Sequence, residues 1–141
     1  MSKLKQTYCQ CLFYSVNALA RNITRLAEEE FAITGLNPSY AFVIMTVNRE
    51  PGISIGDMAK VMQLRPSTLT RFIEKLEKED FLERRTEGRF TYVFPKAKAE
   101  QIISTCETAW YNLYNRFNTL LGKEEAAELV GKITAANSKF E

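Results

Sequence analysis

The sequence contains no histidine among its 141 residues. This absence excludes Ser-His-Asp triads, imidazole general bases and zinc sites of the HExxH type. Only three cysteines are present, an odd number that we expect to remain as reduced thiols in a cytoplasmic protein. Because no apolar run approaches the length of a membrane span, we expect no contact with the membrane interior. The first residues also lack the apolar segment and cleavage site of a secretory signal.

An excess of charge of one sign is missing as well. Nineteen Lys and Arg face 17 Asp and Glu, for a net charge of +2. Bulk charge therefore neither requires nor excludes a polyanionic partner, and a basic site must arise from the placement of individual side chains. Hydrophobic residues make up 45% of the chain, which is typical of a globular protein with a sizeable core.

Two long segments near the chain ends carry apolar residues at steps of three and four, the spacing of helices. The first stripe runs from Tyr8 to Leu26, and the second runs from Ile102 to Leu120. A last helix is predicted over about 123–137. These stripes are close to heptads and too extended for one small core to cover. They predict homodimerisation through the terminal helices.

The middle of the chain shows a different order of elements. A short helix capped by Ser54 is followed by a three-residue turn and a longer helix that starts at Pro66. Residues 81–94 then change to β-type composition, with a turn signal at Glu87-Gly88. A short helix, a turn, a longer helix and a hairpin form a winged helix-turn-helix.

The predicted fold class is mainly α with a small β-hairpin wing, a winged helix-turn-helix between N- and C-terminal dimerisation helices. Residues 1–34 are predicted as the N-terminal dimerisation helix and residues 35–98 as the winged helix-turn-helix region. The C-terminal dimerisation helices follow over residues 99–141. Within the central region, Asn37-Pro38 opens a nearly all-apolar helix that reaches about Asn48 and is expected to be buried.

The longer helix of the central region has a polar face that is typical of a DNA-recognition helix. Its apolar stripe extends from Leu69 to Leu76, and hydroxyls and one guanidinium lie opposite, which suits base and phosphate contacts in a major groove. The hairpin adds arginines that suit a narrow minor groove. Since acidic residues are nearly as frequent here, ordinary surface ion pairs are the alternative. The predicted contacts are Ser67, Thr68, Thr70, Arg71, Lys75, Arg84, Arg85 and Arg89.

Four segments together resemble the MarR family of bacterial transcriptional regulators. Residues 55–64 are similar to its first helix-turn-helix helix, and Ser67–Arg71 with the following residues to its recognition helix. Phe81–Arg85 resembles the entry to its wing, and Glu87-Gly88-Arg89 its Asp-x-Arg signature. The resemblance implies a two-fold dimer bound to pseudo-palindromic double-stranded DNA. It also implies repression that ends when a small phenolic ligand binds or a thiol is oxidised.

The sequence departs from the family pattern at three places. The wing is shorter than usual, which reduces its reach into a minor groove. Arg65 replaces the usual serine before the recognition helix, so it cannot accept an N-cap hydrogen bond and is expected to meet a phosphate. Lys96-Ala-Lys-Ala99 stands where the family has a Thr-x-Lys-Gly run.

The sequence also suggests candidate effector sites. Cys11 resembles the cysteine of the family's hydroperoxide sensors, with Tyr40 as a thiolate donor by the same resemblance; the alternative is a small buried residue between dimer helices. A cleft lined by aromatics such as Tyr14, Tyr40 and Trp110 would suit a small aromatic effector, although ordinary core packing is the alternative for each ring.

Two rival functions remain at this point. A winged-helix dimer that does not bind DNA and acts as a protein-interaction module is favoured by the nearly neutral charge and the short wing. An enzyme has no nucleophile–base pair, phosphate loop or metal cluster to support it, so no catalytic residue, metal or cofactor is predicted.

Overall fold

The computed structural model describes all residues, 1–141, as seven α-helices and one small antiparallel sheet. This confirms the predicted mainly α class with a β-hairpin wing. The helices are α1 (Lys3–Tyr8), α2 (Leu12–Phe31), α3 (Pro38–Arg49), α4 (Ile55–Met62), α5 (Pro66–Lys78), α6 (Ala97–Leu121) and α7 (Lys123–Ser138). The strands are β1 (Ile53–Ser54), β2 (Leu82–Glu87) and β3 (Phe90–Pro95).

The elements from α3 to β3 form the central module. Their apolar faces meet in one closed core of 13 buried residues, to which α6 adds only Ala99. Helix α3 is buried on two sides, as its nearly continuous apolar sequence predicts, because it contributes three residues to this core and two, Ala41 and Met45, to a second core. The other members of the first core are Val43, Ile44, Val47, Ile53, Met58, Ala59, Leu69, Ile73, Leu76, Phe81, Leu82 and Val93.

Local sequence signals set the helix starts of the central module. The Asn37 side chain accepts a hydrogen bond from the Ser39 N–H at 2.8 Å, and Pro38 occupies the first turn of α3. The Ser54 hydroxyl oxygen accepts from the Asp57 N–H at 3.1 Å and caps α4. Both caps confirm the sequence-based predictions.

The sheet has the order β1-β3-β2, so β3 is central and β2 is an edge strand. Two details correct the sequence-based prediction. The two-residue turn is Gly88-Arg89, one position later than predicted, because Gly88 supplies the positive φ of +60° that the first turn position requires. The strand β1 was missed, since its two residues are extended only through pairing with Val93 and Tyr92.

The terminal helices and α3 form a second and smaller core. Phe31, Cys106 and Leu113 are buried where α2, α3 and α6 meet. Arg116 of α6 ties α6 to the end of α2, with its guanidinium 2.6 Å from Glu29 and 3.4 Å from Glu30. Much of the remaining surface of these helices is apolar and exposed.

The N-terminal stripe is not one helix, which is a third correction. The chain breaks at Cys9–Cys11, where Cys11 is extended and begins α2 as its N-cap. The Ser15 hydroxyl donates to the Cys9 carbonyl at 2.9 Å, and the rings of Tyr8 and Tyr14 pack 5.6 Å apart. These contacts fold α1 against the start of α2 instead of extending it.

None of the seven helices combines the length and the apolar character that a membrane crossing requires.

Candidate nucleic-acid interface

The orientation of α5 follows from its apolar stripe. Leu69, Ile73 and Leu76 are buried in the core of the central module. With about 100° per residue, this places Ser67 and Arg71 on the opposite, exposed face of the helix. Thr68 and Thr70 flank that face and are half-buried, so the polar groups predicted for DNA contact lie along one accessible side of α5.

The first turn of α5 is open to a ligand. Arg65 is the N-cap residue in extended conformation, and its side chain makes no capping hydrogen bond. The first backbone amides of α5 therefore have no side-chain acceptor, a position that favours anions. Arg65 is itself exposed, as the expectation of a phosphate contact requires.

Segment 65–89 holds seven basic and six acidic residues, and only some of these side chains form ion pairs. Four of the acidic side chains are paired: Glu74 and Glu77 with Arg84, Glu83 with Arg85, and Asp80 with Lys96. Five cations have no carboxylate partner within 4.0 Å, whereas two carboxylates, Glu79 and Glu87, have no cation partner, so the unpaired charge of the segment is predominantly positive. These cations are Arg65, Arg71, Lys75, Lys78 and Arg89.

Arg84 differs from the other predicted DNA contacts. Its Nη2 donates to Glu77 Oε1 at 3.0 Å, and its Nε donates to Glu77 Oε2 at 3.4 Å. The Nη1 atom is 3.9 Å from a carboxylate oxygen of Glu74. The side chain is 30% exposed and is directed at α5. It is thus engaged within the protein rather than open to a phosphate.

The other two wing arginines are accessible. Arg85 pairs with Glu83 at 2.7 Å and lies over the ring of Phe94, 4.1 Å from its centroid. Arg89 occupies the turn next to Gly88 and is exposed without a carboxylate partner. A Cβ added to Gly88 would meet no atom within 4 Å, so the glycine serves the turn's positive φ rather than tight packing.

Tyr40 lies beside α5. Its ring packs edge-on against Phe72 at 5.0 Å, and the Lys75 Nζ lies 5.1 Å from the ring centroid. The cation is therefore held near the exposed face of α5 by an aromatic ring. This position is part of the central module and not of a cleft between terminal helices.

The three aromatics predicted to line an effector cleft are not brought together in the single chain. Tyr14 packs on Tyr8 at the start of α2. Trp110 of α6 packs edge-on against Phe42 at 5.5 Å and carries the Arg49 guanidinium 5.4 Å from its ring. Together with Tyr40 these rings occupy three separate places, and a shared aromatic pocket within one chain has no support.

The cysteines lie in two environments. Cys9 and Cys11 are exposed, whereas Cys106 is buried. Burial, reinforced by the nearby Glu107 carboxylate, raises the pKa of the Cys106 thiol and keeps it neutral. Tyr40 contacts Phe72 and Lys75 and makes no hydrogen bond to Cys11 within the chain.

Two contributors to this surface were not among the predicted DNA contacts. Lys78 lies opposite the apolar stripe, and it joins Arg71 and Lys75 in lining a polar surface cavity of about 460 Å³ between α5 and β2. Glu77 was missed as the partner of Arg84. The periodicity that places Lys78 is visible in the sequence, but no local spacing links a helix-end glutamate to a strand arginine seven residues later.

A helix-turn-helix followed by a wing with unpaired cations on its exposed side defines the class of winged-helix proteins. Residues 36–87 match the model of the MarR family, described as "MarR family". Over these residues the chain is similar to the MarR family, and the match spans the winged-helix region. This is a family of transcriptional regulators rather than of enzymes. No curated protein shows significant sequence similarity to the chain.

Solved structures share the fold over most of the chain. The S. aureus MepR–DNA complex has a TM-score of 0.79 at 13% identity, covering 92% of this chain and 98% of MepR. A cysteine-to-serine variant of E. coli MarR with operator DNA has a TM-score of 0.79 at 16% identity, covering 92% and 96%. CouR from Rhodococcus jostii RHA1, bound to p-coumaroyl-CoA, has a TM-score of 0.74 at 12% identity, covering 89% and 90%. At these identities the likeness shows the fold, including the terminal helices.

Proposed function

We propose that the protein is a cytoplasmic, homodimeric transcriptional regulator that binds double-stranded DNA through α5 and the wing. The distribution of ion pairs is the observation that carries this proposal. Four of the six carboxylates of residues 65–89 are paired with Arg84, Arg85 or Lys96, while the cations of α5 and the wing turn stay unpaired. Such a surface attracts a polyanion although the chain as a whole is nearly neutral.

The roles of the contacting residues follow from their places. Arg71 and Ser67 on α5 would face base edges in a major groove, and Arg65 and Lys75 would bind phosphates on either side. Arg89 at the wing turn would approach the minor groove or its backbone. Arg85, beside it on β2, would exchange Glu83 for a phosphate.

The exposed apolar surface of the terminal helices supports a dimer. Large apolar side chains of α2, α6 and α7 remain exposed in the single chain, which is more than a monomeric surface normally leaves uncovered. Two copies that cover these faces against each other would present two α5 helices to one pseudo-palindromic site. The exposed residues include Leu12, Phe13, Val16, Trp110, Tyr111, Tyr114, Leu120, Val130 and Ile133.

Repression and its release complete the proposal. A small aromatic ligand, or oxidation of the exposed Cys11, would favour a dimer whose two α5 helices no longer match the spacing of the site. The p-coumaroyl-CoA bound to CouR is an aromatic acyl ligand on this fold and supports the ligand class. Because the aromatics of a single chain lie apart, the ligand site would require residues of both copies.

The test is selection of bound duplexes from a random DNA library, followed by fluorescence anisotropy across a salt series. We expect an inverted-repeat motif and an affinity that falls steeply with salt. Equal, weak binding to the selected and scrambled duplexes would contradict the proposal and favour an interaction module without DNA.

A further inference from the structure

The bond between Arg84 and Glu77 joins the wing to α5. Glu77 lies in the last turn of α5, and Arg84 is the third residue of β2. One carboxylate accepts three hydrogen bonds from this one residue, from Nη2 at 3.0 Å, Nε at 3.4 Å and the backbone N–H at 3.3 Å. Bidentate pairing of this kind defines direction as well as distance.

The backbone bond matters because β2 is the edge of the sheet. An edge strand has amides without a partner strand, and the Arg84 N–H donates to Glu77 Oε2 instead. Glu77 thus binds both the main chain and the side chain of β2. No other hydrogen bond between side chains connects α5 to the wing.

The same guanidinium pairs with two carboxylates, Glu74 and Glu77, on the side of α5 that carries Arg71 and Lys78, and it offsets part of their negative charge. Glu74 and Glu77 line the polar cavity with these two cations and Arg84. Without Arg84, both carboxylates would face an approaching phosphate backbone and repel it. Arg84 therefore affects DNA affinity from a place where it is already bound to protein.

We propose that Arg84 is a positioning residue that holds the wing at a defined angle to α5, so that Arg71 and Arg89 reach one duplex together. The proposal rests on the DNA-binding function proposed above. It reassigns Arg84 from a predicted DNA contact to a link between α5 and the wing, with Glu77 as its partner.

The first arm of the test uses the free protein. Arg84→Lys keeps the positive charge but removes the paired guanidinium donors that bind both oxygens of Glu77. Glu77→Gln removes the carboxylate that accepts these hydrogen bonds. We expect both variants to raise amide hydrogen exchange at Arg84 and in the Gly88-Arg89 turn about fivefold, measured by NMR. Arg85→Lys is the matched control, because Arg85 contacts Glu83 and Phe94 within the sheet and no residue of α5, and it should leave this exchange unchanged. Unchanged exchange in both variants would overturn the proposal.

The second arm measures affinity for the selected duplex across a salt series. If Arg84 positions the wing, Arg84→Lys weakens binding about fivefold with the salt slope of the parent, because no phosphate contact is lost. A direct phosphate contact by Arg84 predicts the opposite pattern. Arg84→Lys would then bind with an affinity close to that of the parent, and Arg84→Gln would have a salt slope lower by about one. That pattern would overturn the proposal.

Glu77→Gln separates the two explanations further. Simple electrostatics predicts tighter DNA binding when an acidic residue near the interface is removed, whereas loss of the link predicts weaker binding. In the Arg84→Lys background, Glu77→Gln should add no further increase in wing exchange. If the parent selected no DNA, the proposed function would fail, while the exchange data would still decide whether Arg84 holds the wing.

Discussion

The central module and the terminal helices bury their apolar residues in different ways. In the central module, 13 buried residues close one core, and the exposed face of α5 is polar. The terminal helices share with α3 a core of only six buried residues and leave large apolar side chains exposed. The difference teaches that the central module is complete within one chain, whereas the terminal helices have surface for a second chain.

The largest expected effect is on the closed core. Ile73→Ala on α5 should lower the free energy of unfolding by about 2–5 kcal/mol, because it leaves a cavity in a fully packed site. Urea unfolding followed by circular dichroism measures this. Val61→Ala on α4, in the same module, is the control and should change stability by less than about 0.5 kcal/mol, since Val61 is exposed. Similar losses for both variants would mean that the module is not closed.

The next effect concerns the open surface of the terminal helices. Phe13 is 78% exposed at the start of α2. Phe13→Glu should raise the dimer dissociation constant at least about 100-fold, because a charge would be buried against the partner copy. Sedimentation equilibrium gives the constant. Asn22→Glu places the same charge on the opposite side of α2 and should have little effect; an equal effect of both would contradict a defined apolar interface.

Loss of a base contact in the central module should have a smaller effect than loss of the dimer interface. Arg71→Ala should weaken binding to the selected duplex by about 1–3 kcal/mol and relax base preference at the contacted position. Competition anisotropy with single-base variants of the site measures both changes. An unchanged preference would show that Arg71 does not read a base.

Arg89 should behave differently from Arg71. Arg89→Ala removes a cation from the wing turn, so we expect a loss of similar size on every duplex and a salt slope lower by about one. The same salt series on selected and scrambled duplexes gives the answer. A loss confined to the selected duplex would make Arg89 a reader of sequence instead.

The smallest effect compares the cysteines. We expect rapid maleimide labelling of two thiols per chain, Cys9 and Cys11, and slow labelling of buried Cys106. Since the pKa of Cys106 is raised in the folded state, its neutral thiol favours folding at neutral pH. This contribution is lost as the pH rises through the alkaline range. Mass spectrometry of the labelled peptides checks the order, and equally fast labelling of Cys106 would contradict its burial.

Periodic and capping signals were sufficient for the helices of the central module. The stripe that includes Leu69 and Leu76 placed the polar face of α5, and Asn37 and Ser54 marked helix starts. The strand β1 could not be predicted, because it exists only through pairing with β3. Signals within a local window do not report contacts between elements.

The candidate site was predictable to the same extent. Arg71 and Arg89 lie where the helix face and the hairpin predicted them, although their contacts with DNA remain a prediction. Arg84 was grouped with them because the sequence shows charge but not pairing, and its partner Glu77 is on another element. Tyr14, Tyr40 and Trp110 were grouped by composition, which does not specify which rings are neighbours.

The most direct test of the central claim is the stoichiometry of the complex with a selected duplex. Light scattering after size-exclusion chromatography gives the molar mass of the complex. We expect two chains per duplex for the parent protein and a lower occupancy for Phe13→Glu at the same concentration. A parent complex with one chain per duplex would contradict the proposal that the terminal helices form a dimer and place two central modules on one DNA site.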